Sequence, residues 1–221
     1  MGGRVEEREV PDALACPDQK KFKYGKLNRI KTEENDLARV PELKREQLSE
    51  HQFRLATELG ATRSGGLETS GPYGLLLRNA ELCERGGKFG SMLRNGTSVP
   101  QRLSEIAIVL TARTYTADFE WYAHAPEARL AGVTDAVLEA IRCNQRPAFE
   151  HEDEEAVYDY VTELHLNKRV ADATYRRLVS CLGETGAIEL TAITGFYTTI
   201  AMLIVAFEVD LPKGMGRQFT D

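Results

Sequence analysis

Three residues in the middle of the chain, Glu105, Glu120 and His124, have side chains suited to moving protons. Glu120 and His124 are four residues apart, so a helix places them on one face. A carboxylate at that spacing can set the tautomer of an imidazole or exchange a proton with it. We therefore predict that His124 is a general acid or base and that Glu120 is its orienting partner.

Glu105 lies at the start of the segment RLSEIAIVLTAR, residues 102–113, which is apolar on nearly every side from 106 to 112. A helix with that pattern is buried all round. A carboxylate in its first buried turn loses solvation and needs a partner. We predict that Glu105 is a buried proton relay that lines one enclosed pocket together with His124.

The same residues also have less specific interpretations. A Glu–His pair four residues apart is often a surface salt bridge, and Glu105 could complete a capping box. Glu105, Glu120 and His124 could also bind a metal, but the chain has only four His residues and no second Glu–His motif. We predict an acid–base site that uses neither a metal nor another cofactor.

Binding of a small-molecule substrate would need polar anchors and pocket walls. Arg102 and Arg113 flank the apolar segment and are candidate anchors for a carboxylate. Four aromatic residues are candidate pocket walls, although ordinary core packing would explain them equally well; they are Tyr115, Trp121, Tyr122 and Tyr197.

The elements that must position these residues are helices. No segment alternates between polar and apolar residues over a useful length, and apolar residues recur at helical spacing, which predicts an all-α fold. Residues 1–26 are predicted to be a loosely ordered arm and 27–221 a single helical domain. Helices are predicted at 41–59, 73–83, 89–94, 100–115, 118–132, 135–143, 172–183 and 185–211, with Gly86 and Gly87 ending the second. A further helix is predicted to begin at the acidic run 151–155 and to include the apolar stripe up to Leu164.

The segment PQRLSEIAIVLTARTYTADFEWYAHAPEARLAGVTDAVLEAI, residues 100–141, resembles the core of the carboxymuconolactone decarboxylase-like family, within the alkylhydroperoxidase D-like superfamily. The shared pattern is Arg-x-x-Glu, then Glu-Trp-x-x-His, then Ala-x-x-x-Gly and a short capped helix. Weaker resemblance covers about 27–212. The resemblance implies an alkylhydroperoxidase D-like helical bundle, which usually assembles as a trimer or hexamer.

The resemblance also bears on the chemistry. The peroxidase branch of the superfamily uses a Glu, a C-x-x-C pair and a His, and its two thiol positions fall here on Ala117 and Glu120. Reduction of a peroxide needs both thiols. The chain therefore resembles the decarboxylase-like branch, which implies a lyase acting on a small unsaturated or aromatic carboxylic acid or lactone. The alternatives are an isomerase or cyclase with the same relay, a thiol-dependent peroxidase, or a non-catalytic oligomer.

Composition narrows the partners and the compartment. The net charge of −6 and the pI near 5.4 argue against a broad nucleic-acid surface. The longest apolar stretch, 187–207, contains Glu189 and several polar interruptions, so we predict a core helix rather than a membrane span. No secretory signal is visible and the four cysteines are widely spaced, which favours free thiols in a reducing cytoplasm. A homo-oligomer is expected.

Overall fold

A computed structural model describes residues 38–61 and 66–219, all of them within one compact unit. The described residues contain helices and no strand, which confirms the all-α prediction. The helices are α1 (Glu50–Ala61), α2 (Gly71–Leu76), α3 (Ala80–Asn95), α4 (Gln101–Tyr115), α5 (Asp118–Leu130), α6 (Asp135–Arg142), α7 (Glu152–Asn167) and α8 (Asp172–Ala206), preceded by a 3-10 turn at Arg45–Gln47. The predicted arm, residues 1–26, lies outside the described residues.

Helix α4 is the centre of the fold. Every residue from 103 to 113 is buried, as its almost uniformly apolar sequence predicts. It packs against α5, α7 and α8, and the largest core cluster is built around it. Because α4 has no solvent-facing side over this length, any polar side chain on it must find a partner inside the protein.

The turn between α4 and α5 sets the register of these two helices. Thr116 ends α4 with a left-handed backbone, φ 51° and ψ 38°. The amide of Ala117 then donates to the carbonyl of Ala112 at 2.8 Å, which satisfies an open carbonyl at the end of α4. Helix α5 folds back along α4 from this point. The turn thereby brings Glu105 on α4 opposite His124 on α5.

Helix α3 differs from the prediction. Gly86 and Gly87 do not end a helix; α3 runs through both of them, so the two predicted short helices are largely one. Asn79 caps its start by accepting from the amide of Leu82. Burial of one face, with Cys83 and Leu93 in the core, outweighs the low helix propensity of the glycines. The first helix also begins later than predicted, at Glu50 rather than near position 41.

Helix α8 contains a break at Gly183, whose φ of 71° and ψ of 173° are not helical. This agrees with the prediction that one helix ends there and another follows. By length and composition alone, Asp172–Ala206 could cross a membrane, with 39% of its most apolar window buried inside the protein. The core helix of a soluble protein has the same properties, so this helix does not decide the localisation.

The cysteines depart from the prediction at one position. Cys83 and Cys181 form no disulfide, whereas Cys143 is disulfide-bonded. The prediction of free thiols is therefore wrong for Cys143. Wide spacing in sequence hid this bond, because spacing along the chain does not report which cysteines meet in space.

Candidate active site

A pocket of about 350 Å³ lies between α2, α5 and α8. Its size falls within the range of small-molecule sites, and its walls are largely apolar and aromatic with a few polar groups, as in such sites generally. The lining residues that matter for the chemistry are Glu120, Tyr122 and His124 from α5, Tyr197 and Phe196 from α8, Phe119 from α5 and Arg94 from α3.

A buried hydrogen bond joins the two residues that the α4–α5 turn brings together. The Nδ1–H group of His124 donates to Oε2 of Glu105 at 2.9 Å. His124 is 6% exposed and Glu105 2%. Glu105 does not line the pocket itself, so the prediction that it lines the pocket together with His124 is wrong. A carboxylate bonded to Nδ1 fixes both the orientation and the tautomer of the imidazole.

The other imidazole nitrogen of His124, Nε2, is available for proton transfer. Among the described residues, Nε2 of His124 has no hydrogen-bond partner, and the residue lines the pocket. The His124 ring also meets the Tyr197 ring edge to face, with centroids 4.9 Å apart. A neutral imidazole held in this way presents a proton acceptor to a ligand in the pocket.

Glu120 behaves differently from the prediction. Neither of its carboxyl oxygens has a hydrogen-bond partner among the described residues, although the residue is only 2% exposed. Burial raises the pKa of Glu120 well above its ordinary value, the negative charge of Glu105 adds to this, and Arg94 opposes it. Glu105, not Glu120, is thus the carboxylate bonded to His124. Glu120 is instead a buried carboxyl group at the pocket wall, where burial favours its protonated form.

Tyr197 and Arg94 form a second polar pair at the pocket. Nη2 of Arg94 donates a part-buried hydrogen bond of 3.2 Å to the hydroxyl oxygen of Tyr197. Burial raises the pKa of Tyr197 to about 12, with Arg94 acting in the opposite direction. The phenol is therefore a neutral group near pH 7. Arg94 itself is exposed and lines the pocket.

The two predicted carboxylate anchors do not line this pocket. Arg102 forms ion pairs with Asp153, at 2.8 Å, and with Glu154, which join α4 to the start of α7. Arg113 is buried, and its guanidinium carbon lies 5.1 Å from the centre of the Phe219 ring. Both arginines therefore connect separate elements of the fold.

The predicted aromatic walls divide into two groups. Tyr122 and Tyr197 line the pocket. Trp121 is a core residue that packs edge to face on Phe219, and Tyr115 packs on His165. The second group therefore follows the alternative interpretation, ordinary packing in the core.

Sequence reasoning missed several lining residues, above all Arg94, Tyr73, Phe119 and Phe196. Arg94 lies near the end of α3, more than twenty residues from His124 and outside any motif. Only the length of α3 and its packing against α8 bring Arg94 to the pocket. The amphipathic pattern of a continuous α3 was the one available signal, and the glycines concealed it.

The part of the chain that the structure describes contains no group of three or more His, Cys, Asp or Glu residues able to hold a metal ion. The predicted trio of Glu105, Glu120 and His124 thus does not form a metal-binding cluster. The other described histidines have separate roles; His165, for example, is bonded to Thr111 at 3.0 Å in the core. That the protein works without a cofactor stays a prediction.

Comparison with family models, with curated proteins and with solved structures returned no match to this chain. The resemblance to the carboxymuconolactone decarboxylase-like family therefore stays a prediction that rests on the residues quoted above.

Proposed function

We propose that this protein is a cofactor-free acid–base enzyme that resembles carboxymuconolactone decarboxylase. It would act on a small unsaturated or aromatic carboxylic acid or lactone, within an alkylhydroperoxidase D-like helical bundle. His124 is the proton-transferring base, and Glu105 is the positioning residue that orients it. Glu120 is a second, neutral acid that faces the same ligand.

The observation that supports this proposal most directly is the 2.9 Å hydrogen bond between His124 and Glu105 at the wall of an apolar pocket. A buried carboxylate–imidazole pair whose second nitrogen faces a cavity is the arrangement that general base catalysis requires. A buried acid with an upward-shifted pKa beside it supplies a proton donor. A proton acceptor, His124, and a proton donor, Glu120, would therefore both contact one ligand.

These groups suit decarboxylation of a carboxylate next to a conjugated lactone. The C–CO₂ bond breaks, its electron pair moves into the conjugated carbonyl to give a dienolate, and CO₂ leaves. A proton is then added at carbon, which restores the carbonyl group of the lactone. Glu120 is suited to donate that proton, and it is then reprotonated from solvent. Isomerisation proceeds without loss of CO₂: His124 removes a proton from one carbon, and Glu120 donates a proton to another carbon of the conjugated system.

Thiol chemistry has less support in the described residues. The two positions that hold thiols in the peroxidase branch are occupied by Ala117 and Glu120. Cys83 and Cys181 form no disulfide and lie on different helices, Cys143 is disulfide-bonded, and none of the three lines the pocket with His124. A peroxidase of this type needs an attacking and a resolving thiol close together.

The proposal is tested by proton exchange at carbon. A panel of unsaturated lactones and conjugated carboxylic acids is incubated with the protein in D₂O, and deuterium uptake and CO₂ release are followed by NMR. His124→Ala should reduce turnover by about 10²-fold or more, the usual size of a general acid–base effect. Cys83→Ser and Cys181→Ser are the matched controls and should retain activity. A dead Cys83→Ser variant beside an active His124→Ala variant would reverse the assignment in favour of thiol chemistry.

A further inference from the structure

Some of the charged residues that line the pocket have a hydrogen-bond or ion-pair partner of opposite charge, and others do not. No carboxylate among the described residues lies within ion-pair distance of Arg94, whose one hydrogen bond goes to the neutral hydroxyl of Tyr197. Of the two acidic lining residues, Glu68 accepts from the hydroxyl of Ser70, and Glu120 is buried without a partner. His124 is paired with Glu105 on the side away from the pocket. The pocket therefore holds one guanidinium group that forms no ion pair with a described carboxylate, while Glu105 and Glu120 act on it only through longer-range electrostatics.

We propose that Arg94 is the residue that anchors the carboxylate group of the ligand in this pocket, and that the ligand is a planar, conjugated carboxylic acid. A guanidinium binds a carboxylate through two parallel N–H···O bonds, so it fixes orientation as well as charge. This inference deepens the proposed function and rests on it in one respect: the ligand is a substrate only if the protein is the proposed enzyme. The binding claim itself stands on the pocket.

The aromatic residues of the pocket walls support the proposal that the ligand is planar. Two edge-to-face aromatic pairs border the pocket: Phe119 with Tyr122 on α5, at 6.2 Å, and Phe196 with Tyr197 on α8, at 5.4 Å. Flat rings and conjugated systems stack or pack edge-on against such walls better than bulky saturated groups do. The volume of about 350 Å³ has room for a one-ring or two-ring acid.

The position of Arg94 fits an anchor for one end of the ligand. Arg94 is exposed whereas His124 and Glu120 are buried, and all three line the pocket. A carboxylate held by Arg94 leaves the conjugated part of the ligand toward His124 and Glu120. Arg94 would thus hold one end of the molecule, and the two buried groups would exchange protons with the other part.

Binding of benzoate tests the anchor without any need for turnover. Calorimetric titration of the full chain compares benzoate with benzamide, its uncharged analogue, and with cyclohexanecarboxylate, its saturated analogue. Arg94→Met should weaken benzoate binding roughly 10- to 100-fold, the worth of a charge-assisted pair, and leave benzamide binding unchanged. Arg94→Lys keeps the positive charge but loses the two parallel N–H groups of the guanidinium, so it should give an intermediate affinity. Arg85→Met is the matched control, because Arg85 is an exposed arginine of the same helix that pairs with Glu81.

The outcomes separate this inference from the proposed function. Equal benzoate affinity of Arg94→Met and the parent protein, or no benzoate binding by the parent protein, would overturn the anchor. Equal affinity for benzoate and cyclohexanecarboxylate would overturn the planar specificity. Arg94-dependent benzoate binding in a protein that exchanges no proton of any tested acid or lactone would support the anchor and sink the proposed enzyme activity. A melting temperature close to that of the parent confirms that each variant is folded.

Discussion

Oε2 of Glu105 lies 2.9 Å from Nδ1 of His124, although the two residues belong to different helices. The bond joins α4 to α5 inside the core, and Glu105 is buried and does not line the pocket. A residue in that place acts on the reaction through its neighbours, by orienting His124 and by raising the pKa of Glu120.

Changing Glu105 to Gln should therefore affect turnover rather than ligand affinity. The amide keeps the shape of the side chain but loses the negative charge that stabilises the imidazolium formed during proton transfer. We expect kcat to fall by about 10²-fold with KM nearly unchanged. Steady-state kinetics on the best acid or lactone of the panel measures both constants. Glu127→Gln, an exposed carboxylate of α5, should change neither constant; a rise in KM alone for Glu105→Gln would contradict the orienting role.

Glu120 should make the protein less stable as the pH rises. Burial raises the pKa of Glu120 well above 4.5, so the folded protein holds a proton that the unfolded chain has released. Its contribution to the free energy of unfolding is fully present below pH 4.5 and is lost as the pH rises through the native pKa, at about 1.4 kcal/mol per pH unit within that window. Glu120→Gln, which cannot ionise, should gain stability over the parent protein between pH 5 and pH 8.

Urea unfolding of the parent protein and Glu120→Gln across this range measures the difference. Glu127→Gln provides the baseline for loss of an exposed carboxylate on the same helix. Parallel stability curves for the parent protein and Glu120→Gln would show that the carboxyl group is ionised in the fold.

Two glycines of α3 should respond in opposite ways to substitution by alanine. A Cβ atom at Gly90 would lie 2.6 Å from the Phe196 ring, whereas nothing lies within 4 Å of one at Gly86. Gly86→Ala should stabilise the protein by about 0.5–1 kcal/mol through helix propensity. Gly90→Ala should destabilise it by about 1–2 kcal/mol, because Phe196 must move, and this shift should also weaken ligand binding in the pocket. Thermal and urea unfolding check the signs; stabilisation by both changes would mean that Phe196 repacks freely.

The exposed apolar residues of α8 predict assembly. Ile188, Met202 and Val205 are 71%, 51% and 44% exposed, and large apolar residues on one helix favour burial against another subunit. We expect a homo-oligomer, a trimer or hexamer, by light scattering at micromolar concentration. Met202→Lys should shift it toward smaller species, and Leu166→Lys, a change at an even more exposed apolar residue on α7, should not. A stable species near 24.7 kDa for the parent protein would refute this.

Several helix limits were predictable because their ends carry local signals. Thr134 caps α6 through its side chain, and Gly183 breaks α8, as expected from their residue types. Gly86 and Gly87 misled the prediction of α3, because burial of one helix face outweighs the local preference of two glycines.

The site was predictable in its members more than in its bonds. Helical spacing correctly places Glu120 and His124 on α5, but it reports neighbours within one helix only. Which carboxylate reaches the imidazole depends on the register across the Thr116 turn, and that register favours Glu105. Arg94 carried no motif at all, since its relation to the pocket is set by packing between α3 and α8.

Arg94 borders a second cavity as well, one of about 470 Å³ between α1 and α3 that is also lined by Cys83 and Lys88. The Arg94 side chain thus contributes to the walls of both cavities. Arg94→Ala should shorten this shared side chain and enlarge the space that a ligand can enter. The shortened variant should then admit uncharged ligands too long for the parent protein, and a mutation that impairs recognition of small acids would become a means of widening the range of molecules that the protein accepts.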